Sequence, residues 1–219
     1  MIYEYPGSAA PIRQGDIFVR MPRVEVSMGR VPVLEGDGSM VSREWREIAL
    51  AQEEVTAVFA VRPVAAIVAT QDCDATHSQD ITLCEIRLFR DVYPTASQTA
   101  TPKAWMNIIT QHARANQKWF YLPPDGQIGF VDKMAVDFMV TLRVPRIELE
   151  SLRELRKGRL NPVADEHFRE RIGEFFRRYP YDEWYPLNSD ELATYRAQYP
   201  EAQPFSWQDV RPGSNAPGN

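Results

Sequence analysis

The chain is poor in several residue types, and each shortage narrows what it does. Only two cysteines, Cys73 and Cys84, occur in 219 residues. That is no disulfide framework, and reduced thiols in a cytoplasmic protein are the expectation. Histidine occurs three times, as His77, His112 and His167. Paired ligand motifs of the kind a structural zinc site uses are missing, so no metal set and no cofactor are expected. Basic charge is not in excess: 25 Lys and Arg face 30 Asp and Glu, a net charge of −5. No global positive field therefore draws the chain to nucleic acid or anionic lipid. The longest strongly apolar run, Val64 to Ala69, is far shorter than the ~20 residues of a membrane-spanning helix. The opening Met1-Ile2-Tyr3-Glu4-Tyr5-Pro6 lacks the basic and apolar regions of a secretory leader. The glycines are scattered and form no phosphate-binding fingerprint. What remains is an ordinary globular composition, 44% hydrophobic and 25% charged, in a chain long enough to bury a substantial core.

Periodicity organises the chain into strands first and helices later. Gly15-Asp16 launches a strand through Arg20 that Pro22 closes, and Val24-Glu25-Val26 alternates briefly before a Gly- and Pro-rich loop. Ser42 caps an expected helix over 43–54, where Trp45, Ile48, Ala49 and Gln52 share a face. Val55–Val61, the continuous run Val64–Ala69 and the alternating Ile81–Phe89 read as strands, the second buried on both faces. Thr101-Pro102 opens a helix over 102–115. Trp119–Leu122 is a strand ended by Pro123-Pro124-Asp125-Gly126, and β-like stretches follow at 129–131 and 135–142. From Glu148 the chain is charge-dense and reads as helical. Asn161-Pro162 caps a helix whose apolar face is Phe168, Ile172, Phe175, Phe176 and Tyr179, and Pro180 ends it. A short helix is expected over 190–198. The reading is thus an α+β protein. A barrel-like, mostly antiparallel domain covers 1–146, with helical insertions near 43–54 and 102–115. A C-terminal helical segment over 147–200 packs on it, and a tail over 209–219 is disordered.

The reactive side chains concentrate in Gln71-Asp72-Cys73-Asp74-Ala75-Thr76-His77-Ser78-Gln79-Asp80, read as a loop between two strands. Three readings stay open. Cys73 is a nucleophile with His77 as its base, provided the loop makes a helical turn. Alternatively Cys73, His77 and a carboxylate hold a metal. In the third, Asp72 and Asp74 bond their own turn while Cys73 packs inward. A second candidate is basic. Ten Lys and Arg lie between Arg143 and Arg178 with seven acids interleaved. A phosphate-binding face forms if Arg153, Arg156, Lys157 and Arg159 converge; otherwise pairs such as Glu166–Arg169 lace a solvated helix.

Arg13-Gln14-Gly15-Asp16-Ile17-Phe18, Arg62-Pro63 leading into Val64–Ala69, the polar loop at 71–80 and the strand from Ile81 resemble the MazF/PemK-type toxin endoribonucleases. The resemblance covers about a third of the chain and implies an SH3-like β-barrel. It also implies an arginine, here Arg62, that stabilises charge at a scissile phosphate. The family places a hydroxyl residue just after the strand matching Ile81–Ile86, where this chain has Arg87. The expectation is therefore a non-catalytic binding module on a degenerate barrel. It would contact a protein or RNA through Gln71, Asp72, Cys73 and Asp74 and the basic segment. The alternative is an endoribonuclease with Arg62 and Arg87 on the phosphate and Asp72 or His77 as base. The chain also resembles a group of uncharacterised bacterial proteins with a Gln-Asp-Cys-Asp turn, an aromatic-Leu-Pro strand and an Arg-rich C-terminal helix pair.

Overall fold

The computed structural model describes residues 2–92, 101, 103, 118–176 and 197. The chain divides into two compact units, Met1–Phe176 and Arg177–Asn219. The expected helix over 102–115, the short helix over 190–198 and the tail over 209–219 lie, Lys103 and Ala197 apart, outside the described residues.

Ten strands are described: β1 Tyr3–Glu4, β2 Asp16–Val24, β3 Arg30–Leu34, β4 Met40–Glu44, β5 Thr56–Ala57, β6 Val61–Val68, β7 Asp80–Leu88, β8 Trp119–Leu122, β9 Met134–Pro145 and β10 Arg156–Leu160. The helices are α1 Trp45–Ala51, α2 Asp72–His77, α3 Phe89–Val92, α4 Arg146–Ser151 and α5 Pro162–Phe176, with a 3-10 turn at Arg153–Leu155. Seven strands form one sheet in the order β1-β10-β2-β6-β7-β9-β8, and its neighbours pair antiparallel. β4-β3-β5 form a second, three-stranded sheet. The fold is α+β and mostly antiparallel. Its described strands order as an open sheet edged by β1 and β8, rather than closing into the barrel the resemblance implies.

Alternation along β6 accounts for two cores. Ile67 faces Ile17, Cys84, Ile86, Val136 and Phe138, and α5 covers this side with Ala164 and Phe168. The Phe168 ring lies 5.4 Å from Phe120 and 5.9 Å from Phe138, within the range of favourable aromatic pairing. Val64, Ala66 and Val68 point the other way, onto Phe18, Met21, Leu83 and Leu142, beneath Leu149 of α4. A strand buried on both faces is what the continuous apolar run dictates.

Four local expectations are corrected. Met40–Glu44 is strand β4, paired with β3 along its length, so the helix begins only at Trp45. The 71–80 segment holds a six-residue helix, α2. Phe176 is exposed and not part of the buried α5 face. The charged stretch after Glu148 re-enters the main sheet as β10, between β1 and β2, so no domain boundary falls at 146–147. A strand reading Arg-Lys-Gly-Arg-Leu has no apolar alternation; its buried positions are Arg156, Gly158 and Leu160, and the charge of Arg156 is met by a buried aspartate.

Candidate functional site

That aspartate is Asp16, fully buried at the start of β2. Its carboxylate accepts from Arg156 Nη1 at 3.1 Å, from Arg159 Nε at 2.6 Å and Nη2 at 2.9 Å, and from the Arg13 amide at 2.9 Å. Arg156 also donates through its Nη atoms to the carbonyls of Gly7, Ala10 and Pro11. Burial alone lowers the Arg159 pKa, but the hydrogen bond and charge of Asp16, with Asp72 and Glu4, leave it raised, so its cation is secure.

The same turn gathers a second set of polar groups. The Gln14 amide donates to Asp72 Oδ1 at 2.8 Å, its side-chain nitrogen donates to Ala69 O, and its carbonyl accepts from Arg169 Nε at 3.1 Å. Arg169 also donates to Asp165 Oδ2 at 2.9 Å. The other oxygen, Oδ1, is buried without a hydrogen-bond partner. It lies 2.8 Å from where a Cβ on Gly15 would stand. Burial pushes the Asp165 carboxyl above its usual range; Arg169 and Arg159 oppose this, while Asp72 and Asp16 add to it.

A separate charge row crosses the middle of the sheet, with Arg23 reaching it from the end of β2 and Arg62 from the start of β6. Glu85 and Asp137 are cross-strand partners, both buried, at a bulge between β7 and β9. Glu85 is paired with Arg23 and, at 3.2 Å, with Arg62, which also holds Glu25 at 2.9 Å. Arg87 Nη1 donates to Asp137 Oδ2 at 3.1 Å.

The residues singled out from sequence therefore separate. Arg62 and Arg87 belong to the Glu85–Asp137 row, whereas Asp72 and His77 follow the far end of β6. Six residues of strand, about 20 Å at ~3.3 Å per residue, separate Arg62 from Val68. Cys73 and His77 do share a side of α2, as a spacing of four on a helix requires. Cys73 is exposed, however, and Ala75 is the residue that α2 buries. The Asp72 carboxylate accepts from the Gln14 amide, while its backbone carbonyl accepts from Thr76 Oγ1 in its own turn. Of the basic set, Arg156 and Arg159 are committed to Asp16, and exposed Lys157 donates to Glu154 O. Arg153 sits half-buried in the 3-10 turn with its Nε unpartnered. Among the described residues no group of three or more His, Cys, Asp or Glu is placed to hold a metal ion, and no helix is long and apolar enough to cross a membrane. Cys84 is packed in the core, where burial and the Asp137 charge push its thiol up to about 12.

The small sheet has a different character. One face, with Val31 and Val33, packs on Ile48 of α1 and on Val55, Ala57 and Phe59. The other carries Leu34 opposite Met40 and Pro32 opposite Ser42, and Leu34 and Met40 are 41% and 63% exposed. Ten of the sixteen exposed large hydrophobics among the described residues fall within residues 24–61. Local periodicity reads residues 27–54 as loop and helix, which hides the pairing that puts Leu34 beside Met40.

Compared with models of known protein families, with curated proteins and with solved structures, the chain matches none.

Proposed function

We propose that the protein is a non-catalytic binding module whose partner is another protein. The observation that supports this is a division of labour. Arg62, Arg87, Arg156 and Arg159 are spent on the chain's own carboxylates, while ten of the sixteen large apolar side chains left in solvent among the described residues concentrate on one segment. An arginine holding a buried carboxylate stabilises a scissile phosphate only by abandoning a desolvated charge, which is costly. Exposed apolar side chains in number mark protein contact surfaces. In this reading the open sheet is a MazF/PemK-like barrel that has lost its closure along with its chemistry.

The test has two arms. Mixed-sequence RNA incubated with the wild type and with Arg62→Ala stays intact in both, and neither retains it on a filter. Chemical cross-linking in extract gives a discrete protein adduct that the Leu34→Ser/Met40→Ser variant loses. Cleavage by the wild type that Arg62→Ala abolishes would restore the nuclease reading, and filter retention without cleavage would move the partner to RNA.

A further inference from the structure

α5 starts on a carboxylate that its surroundings serve unevenly. Asp165 lies in the first turn, where the Ala164 amide donates to Asn161 Oδ1 and the Asp165 amide to Asn161 O, both at 2.9 Å. The Asp165 side chain is 17% exposed. Its Oδ2 accepts from Arg169 one turn further on, whereas Oδ1 is buried with no donor and takes up the space that a Cβ on Gly15 would need. The charged groups around it come from four elements: Asp16 of β2, Asp72 of α2, Arg159 of β10 and Arg169 of α5 itself. Arg159 donates to Asp16 and to Pro11 O, and Arg169 divides its donors between Gln14 and Oδ2, so neither bonds Oδ1. Glu166 and His167 follow on α5 and are exposed.

An ionised carboxylate oxygen shut away from water and from every donor is costly, more so with two further carboxylates nearby. Two events relieve the cost. A proton removes the charge with no movement of the chain. Alternatively the first turn lifts off Gly15 and lets water reach Oδ1. Lifting stays local, because Phe168 sits fully buried against Phe120 and Phe138 and holds the rest of α5.

We propose that the first turn of α5 is a proton-dependent latch: closed on the Gly15 turn when Asp165 carries a proton, and lifted, with water on Oδ1, when it does not. Burial and the charges of Asp72 and Asp16 make the closed form the tighter proton binder. The lifted fraction therefore grows as pH rises, by at most about tenfold per pH unit between the ordinary carboxylate range and the raised one. The latch is independent of the protein-binding reading above.

Native-state hydrogen exchange on the full-length protein between about pH 4 and pH 7, corrected for intrinsic rates, is the test. The Ala164 and Asp165 amides lose protection as pH rises, and they stay less protected than the amides paired between β6 and β7. In Asp165→Asn, which keeps the shape and cannot ionise, the pH response of the Ala164 amide disappears. In Asp72→Asn, whose side chain still accepts from the Gln14 amide, the response is smaller and ends at lower pH, because one of the charges that favours the proton is gone. In His167→Gln it is unchanged. Protection that ignores pH in the wild type, a response that persists in Asp165→Asn, or one that His167→Gln removes would each overturn the latch. A response that Asp72→Asn leaves untouched overturns it too, since the titrating group would not be the one facing α2. So would equal protection of the α5 and β6–β7 amides, which would mean that α5 opens only when the whole fold does.

Discussion

Asp16 and Arg159 stand 143 residues apart in sequence, and their side chains meet at 2.6 Å beneath the first turn of the main sheet. With Arg156 on the same carboxylate, this contact fixes β10 against β2 and explains why a strand of charged residues sits inside a sheet.

Replacing Asp16 by alanine leaves Arg156, only 1% exposed, as a buried cation without a counter-charge. Removing one partner of a buried pair costs about 3–5 kcal/mol. Urea denaturation of Asp16→Ala is expected to show a loss of that size. A loss under ~1 kcal/mol, the value of an exposed pair, would mean the cluster is solvated in the working protein.

Gly15 adopts φ +79°, in the left-handed region, with Asp165 Oδ1 2.8 Å from its missing Cβ. Gly15→Ala is expected to cost about 1–2 kcal/mol from the backbone alone, with the collision added. The part due to Asp165 should vanish in an Asp165→Ala background, leaving the tighter contact with Leu160 Cβ at 3.3 Å. Equal costs in both backgrounds would place the strain in the main chain and the Leu160 contact rather than in Asp165.

Arg20 holds φ +60° where β2 bulges against β6. Glycine tolerates that conformation without the Cβ penalty, so Arg20→Gly should gain stability, by no more than about 1 kcal/mol. A clear loss by thermal unfolding would show that the Arg20 side chain holds a contact worth more than the strain.

The Asp165 carboxyl is raised, chiefly by burial. The folded state therefore binds this proton more tightly than the unfolded state does. Its contribution to stability is present in full below the unfolded pKa and is lost as pH rises through the raised value. Asp165→Asn, which cannot ionise, should thus lose less stability than the wild type between pH 4 and pH 7, and the two denaturation midpoints should move apart in that direction. Parallel midpoints across that range would assign the pH dependence to other groups.

Much of the main sheet was legible in the sequence. β6 and β7 carry apolar runs and alternation, and the Asn161-Pro162 cap announces α5, where the Ala164 amide indeed donates to Asn161 Oδ1. The failures have two physical causes: hydrophobic periodicity is blind to buried polar pairing, and it is blind to an exposed strand set by its neighbour's register. β10 was hidden because Arg156 and Arg159 point at Asp16, a partner no local window contains. β4 was hidden because Met40-Val41-Ser42-Arg43-Glu44 is exposed nearly throughout and its strand character comes from the β3 register. The candidate site was legible as residues but not as a constellation. Arg62 and Asp72 are ten positions apart, and a straight strand between them sends one to each end of the sheet.

The most direct test of the central claim is photo-cross-linking in cells, with the reactive side chain placed at Met40 in one form and at Val131, which is 94% exposed outside the small sheet, in the other. The account predicts a discrete protein adduct from position 40 and none from position 131. Adducts to RNA, or equal yields from the two positions, would contradict it.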